Sequence, residues 1–139
     1  MAAYDIRWQQ RFDNYQKIFA LLRDALLMPT PDIVQKAGII QFFEITFELS
    51  WKLMKDYLES KGFQSVNSPR EAIRKAYEVG LIADGHIWIK LLESRNITTH
   101  VYNVQEITLI EDDLAAKYFP LFEALHETFA AISSRTHDD

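Results

Sequence analysis

The chain has 139 residues, a formal net charge of −5, 48% apolar and 13% aromatic residues, and no cysteine. That length and apolar content make one domain over residues 1–139 the simplest organisation, and the missing cysteine excludes a disulfide framework, a thiolate metal site and a cysteine nucleophile. The charge is uneven: residues 1–70 hold nine basic and eight acidic groups, and residues 71–139 hold six and twelve. An acidic chain without a basic run has little general affinity for nucleic acid, so any RNA chemistry has to use a local cationic site.

The start, Met1 to Trp8, has no apolar core of signal-peptide length, and no run of 18 apolar residues follows. A soluble, cytoplasmic protein with no membrane partner is the expectation. Glycine and proline are sparse, four of each, which favours long helices over a many-turned β fold.

Trp8, Phe12, Tyr15, Phe19, Leu22 and Leu26 alternate in steps of four and three and predict a helix from about Ile6 to Met28. Pro29-Thr30-Pro31-Asp32 breaks it, with Thr30 as a cap and Pro31 in the first turn of the next helix. That second helix is predicted from about Pro31 to Lys61, closed by Gly62 in a left-handed cap. It carries two apolar seams: Ala37, Ile40, Phe47, Trp51, Met54 and Leu58, and Ile39, Phe42, Phe43, Leu49, Leu53 and Tyr57. A helix apolar over so much of its girth is either the central element or meets another subunit. A homodimer is therefore expected. Glu44 falls on the first seam, where an acid is either an edge residue reaching solvent or paired with an arginine, or part of a site.

Ser68-Pro69-Arg70-Glu71 reads as a capping box opening a short helix that ends at Gly80. Asp84 caps the next, predicted from about Gly85 to Tyr102, with Ile87, Trp88, Leu91, Leu92 and Ile97 facing inward. The last helix begins near Val104–Glu106 and reaches about Ser133 on a stripe of Ile107, Ile110, Leu114, Tyr118, Leu121, Leu125 and Phe129, with a kink expected at Pro120. The fold class is all-α: an up-and-down bundle of four long helices and one short one.

Glu93 to Asn103 gathers an arginine, a histidine, a tyrosine and two asparagines, the densest set of functional-type side chains in the chain. Arg95 and His100 are five positions apart, which on a straight helix turns them about 140° from each other. To act together they need a distortion between them, or a second copy of the segment across a two-fold axis. A helix-end arginine and histidine can equally do no more than bond the last carbonyls and complement the dipole. His86, His126 and His137 show no ligand spacing, so no metal site is expected; no Gly-rich phosphate loop is present, so the chain is not expected to be a nucleotide-activating enzyme itself, and no cofactor is expected.

Arg95-Asn96-Ile97-Thr98-Thr99-His100-Val101-Tyr102 resembles the Arg-x4-His-x-Tyr signature of HEPN domains, in particular those paired with a minimal nucleotidyltransferase. The resemblance extends through Arg7 to Asn14, Phe43 to Lys52 and Ser68 to Ala72, and covers nearly the whole chain. It implies a homodimer in which two Arg-x4-His segments share a cleft, and a partner nucleotidyltransferase. In RNA-cutting members that cleft is a metal-independent endoribonuclease site. The resemblance then implies His100 as acid/base, Arg95 as phosphate clamp, Asn96 as a positioning donor and Tyr102 as acceptor for a silencing nucleotide. The residue types suit the chemistry: imidazole can move the proton of a ribose 2′-OH, and a forked guanidinium can hold phosphoryl oxygens as charge builds. Two functions stay open, a ribonuclease toxin silenced by its transferase, and a non-catalytic subunit that presents a substrate to it.

Overall fold

The computed structural model describes residues 3–98 and 103–138, and all the regular structure among them is helical. α1 spans Ala3–Leu26, α2 Ile33–Ser60, α3 Pro69–Glu78, α4 Gly85–Thr98, α5 Val104–Asp113 and α6 Phe119–Asp138. A π turn, Leu114–Tyr118, joins α5 to α6, so the two form one long interrupted helix. The predicted bundle of four long helices and one short one is what forms.

α2 is the hub and packs against each of the other five helices. Its apolar girth is thus used mainly inside the chain: Ile39, Ile40, Phe43, Phe47, Leu53, Met54 and Leu58 are all buried. Ala37, placed on the first seam by periodicity, is exposed. α1 supplies Trp8, Phe12, Tyr15, Phe19 and Leu22 to the same core, and α6 supplies Phe122, Leu125 and Phe129. Full burial of side chains of this size stabilises by about 1.5–3 kcal/mol each. Tyr15 is fully buried, and its hydroxyl donates to the Phe122 carbonyl at 2.8 Å, tying α1 to α6. Burial pushes this phenol far above its usual range, against a smaller opposing effect of its hydrogen bond with Ser50.

The helix ends follow from local chemistry. Gly62 has φ 94°, with Gly62 N–H donating to the Glu59 carbonyl and Phe63 N–H to that of Leu58, a Schellman closure of α2. Gly80, φ 80°, closes α3 the same way through the Tyr77 and Ala76 carbonyls. At the other end of α2 the expected cap is corrected. Asp32, not Thr30, accepts from the Gln35 amide, and Gln35 returns a bond to the Asp32 amide. Pro31 thus precedes the cap rather than opening the helix, because Asp32 and Gln35 satisfy each other's amides in a reciprocal capping box. For α3, Ser68 accepts from the Glu71 amide as expected, but Glu71 reaches the amide of Asn67 instead of Ser68.

The break at Pro120 also takes a form the sequence did not show. Proline removes one amide and its ring crowds the carbonyl four residues back, that of Ala116. The strain is taken up in the preceding turn, where Phe119 N–H reaches back five residues to the Leu114 carbonyl. Tyr118 in that turn stacks on Phe43 with ring centroids 6.4 Å apart, and its hydroxyl lies 3.1 Å from Ser94 Oγ on α4. The wound-out turn therefore anchors the end of α4 that carries Arg95.

Candidate functional site

Arg95 occupies the last turn of α4, where its positive charge complements the helix dipole. It is half-buried, and its Nη2 donates to Glu48 Oε1 on α2 at 3.4 Å. Glu48 is held in turn on its own helix: Trp51 Nε1 donates to Oε2 at 3.2 Å, and Lys52 Nζ stands 3.6 Å from the same oxygen. A guanidinium on one helix is thereby oriented by a carboxylate on another. Such a pair keeps a cation in place on an acidic protein without burying an uncompensated charge.

Asn96 is exposed beside Arg95. Both residues thus lie at the same end of α4, about 100° apart around its axis. His100 and Tyr102 lie outside the described residues. Asn103, just beyond them, has extended backbone and accepts from the Glu106 amide at 2.8 Å, so the chain enters α5 through a side-chain cap. Glu44 is half-buried on α2, one turn before Glu48.

Glu48 and Trp51 are the residues that sequence reasoning missed. Glu48 was one acid among several, and its partner stands 47 positions away. The available signal was its spacing: Glu44 and Glu48 are four apart and share a stripe of α2.

Val34 and Ile45 are exposed at 77% and 37%, and eleven residues bring them to within about 20° of each other around α2. On the other side of α2, α5 packs along it, with Lys36 Nζ 3.3 Å from Thr108 Oγ1, and carries Val104 and Leu109, exposed at 58% and 66%. Among the described residues no three His, Asp or Glu side chains converge as a metal site. No described helix is long and apolar enough to cross a membrane.

The chain matches the family model described as "Nucleotidyltransferase substrate binding protein like" over residues 10–131. It is 33% identical over 107 residues to a Haemophilus influenzae protein named "Probable ribonuclease HepT", covering 70% of this chain and 73% of that one. A crystal structure from Thermus thermophilus superposes with a TM-score of 0.72 at 33% identity, covering 80% of this chain and 94% of the other. A second solved structure, from Haemophilus influenzae, is described as revealing the fold of a substrate binding domain of a nucleotidyltransferase. It matches with a TM-score of 0.62 at 26% identity, over 89% and 96% of the two chains. With its all-helical fold and its Arg-x4-His-x-Tyr segment, the chain belongs to the nucleotidyltransferase substrate-binding family, in the HepT-like subgroup of HEPN domains.

Proposed function

We propose that this protein is a metal-independent endoribonuclease, the toxin of a toxin–antitoxin pair, silenced when a partner nucleotidyltransferase adds a nucleotide to it. The observation that carries this reading is the held guanidinium. Arg95, five residues before His100 in the sequence, is hydrogen-bonded by Glu48 at the end of α4, which supports its reading as a phosphate clamp. The likeness to the Haemophilus influenzae protein named as a ribonuclease supports it.

The residues act as follows. A ribose 2′-OH attacks the adjacent phosphate, forming a 2′,3′-cyclic phosphate and breaking the bond to the 5′-oxygen of the next nucleotide. His100 takes the 2′-OH proton in its neutral form, or returns a proton to the leaving 5′-oxygen. Arg95 holds the phosphoryl oxygens as charge builds, and Asn96 positions the phosphate by donating a hydrogen bond. Two copies of the chain pair through the Val34–Ile45 face of α2, across a two-fold axis that brings the two α4 ends together. Tyr102 is the acceptor for the silencing nucleotide, whose negative charge would occupy Arg95.

The acidic balance of the chain and the substrate-binding description of a structural neighbour favour a second reading, a non-catalytic subunit that presents a substrate to the transferase. RNA digestion in EDTA separates the two. The ribonuclease reading expects cutting that survives chelation and leaves 2′,3′-cyclic ends. An RNA left intact by folded, unmodified protein supports the substrate-presenting subunit.

A further inference from the structure

A pocket of about 310 Å³ opens between α3 and the start of α4, lined by Arg70, Ile73, Arg74, Tyr77, Gly85, His86 and Ile89. Arg70, Arg74 and Tyr77 recur at steps of four and three and so share one face of α3. Both arginines are exposed, and neither makes an ion pair or hydrogen bond among the described residues. Glu71, the acid adjacent to Arg70, is committed to the Asn67 amide. Two guanidinium groups on one face of α3, with no carboxylate partner among the described residues, are the first feature of the pocket.

The second is how Tyr77 is mounted. The residue is 55% exposed, yet its ring lies directly on the backbone of buried Gly85: a Cβ there would come within 2.9 Å of Tyr77 Cγ. The glycine lets the ring seat against α4 while more than half of the residue remains open. Ile73, buried, and Ile89, half-buried, supply an apolar floor. An anion alone needs no aromatic wall, and a planar ring alone needs no pair of arginines. Side by side they match a phosphate joined to a flat heterocycle.

We propose that this pocket binds a nucleoside phosphate, the base against Tyr77 over the isoleucine floor and the phosphate on Arg70 and Arg74, with His86 at the rim. Base–aromatic stacking and forked guanidinium–phosphate bonds are the two interactions such a ligand uses. The volume lies at the lower end for small-molecule sites, enough for one nucleotide unit and not for a strand. The pocket is separate from the Arg95 site: His86 and Arg95 are nine residues apart on α4, about 14 Å along the axis and on opposite sides of it. The nucleotide unit comes either free from solution or as the terminus of an RNA.

Calorimetric titration of the full chain with adenosine 5′-monophosphate, adenosine, inorganic phosphate and a 5′-phosphorylated oligoadenylate tests this. The monophosphate should bind, with adenosine and phosphate each weaker by about 10-fold or more. The exposed double variant Arg70→Gln/Arg74→Gln should keep its melting temperature and bind the monophosphate no better than adenosine. Tyr77→Ala, and Gly85→Ala, which displaces the ring, should each weaken monophosphate and adenosine alike, by about 10-fold. An oligonucleotide that competes with the monophosphate supports the site with an RNA terminus as its source; one that does not bind supports it with a free nucleotide. Three results would overturn the proposal: no monophosphate binding at millimolar concentration, binding unchanged in the double arginine variant, or binding lost in Arg95→Ala.

Discussion

Arg95 on α4 and Glu48 on α2 stand 3.4 Å apart, joining the two helices at the end that bears the signature segment. Their side chains are 28% and 35% exposed, so the pair adds at most about 1 kcal/mol to stability. Its value lies in orientation. Glu48→Gln keeps the shape and removes the charge that aims the guanidinium. We expect RNA cleavage to fall about 10-fold with a nearly unchanged melting temperature, since small misplacements of a positioning group are costly to rate. Glu48→Asp should recover part of the loss. Wild-type cleavage by Glu48→Gln would remove Glu48 from the mechanism.

Arg11 and Asp56 form a second, structural pair, with Nε 2.9 Å from Oδ2 and side-chain exposures of 31% and 4%. The asymmetry predicts an asymmetric response. Arg11→Ala leaves a carboxylate buried without a counter-charge and should cost about 3 kcal/mol. Asp56→Asn leaves an arginine that water can reach and should cost about 1 kcal/mol, the scale of one net hydrogen bond. Urea denaturation of both variants checks the order, and an equal or reversed cost contradicts it.

His126 on α6 stacks on Phe19 with centroids 4.9 Å apart, lies 5.7 Å from Phe12, and has Nε2 3.3 Å from Gln16 Oε1. Burial holds its pKa below the usual value, with Arg23 acting in the same direction and Glu127 opposing. The folded state therefore binds a proton less readily than the unfolded chain. The stability this contributes is complete above the unfolded pKa of about 6.5 and is lost as pH falls toward the lowered folded value. Unfolding free energy of wild type should rise with pH through that window more steeply than that of His126→Phe. Parallel curves, or a wild type that gains on acidification relative to the variant, would contradict this.

Self-association tests the Val34–Ile45 face of α2. Each chain has a mass of 16.3 kDa, and sedimentation of wild type at micromolar concentration should give a species of twice that. Val34→Asp/Ile45→Asp places two charges in the proposed interface and should sediment as a folded monomer. A wild-type monomer contradicts the pairing and, with it, the shared cleft.

Silencing is tested at Tyr102. Co-expression with an active partner transferase and ATP should add one AMP-sized increment by intact mass, and Tyr102→Phe should fold, dimerise and stay unmodified. An increment that persists in Tyr102→Phe moves the acceptor elsewhere.

The bundle was legible because its helices are amphipathic: the seams of α1, α2, α4 and the final helix are set by steps of three and four, and Gly62 and Gly80 mark the ends of α2 and α3. What escaped was decided by competition or by distance. Thr30 and Pro31 outweighed Asp32 on composition, although Asp32 followed by Gln35 is the reciprocal cap. Pro120 announced a disturbance, but not the π turn that relieves it, whose Tyr118 packs against Phe43 and Ser94 on other helices. The family signature singled out Arg95 and Asn96 as candidate site residues. Glu48 and the Arg70–Tyr77 pocket were not legible, because each depends on two helices meeting.

Single-turnover cleavage of RNA in EDTA, compared between wild type and His100→Ala, bears most directly on the central claim. A general acid/base supplies about 10²–10⁴-fold in rate, so wild type should cut to 2′,3′-cyclic ends and folded His100→Ala should be slower by that factor. Equal rates in the two proteins, or no cutting by unmodified wild type, would contradict the ribonuclease account.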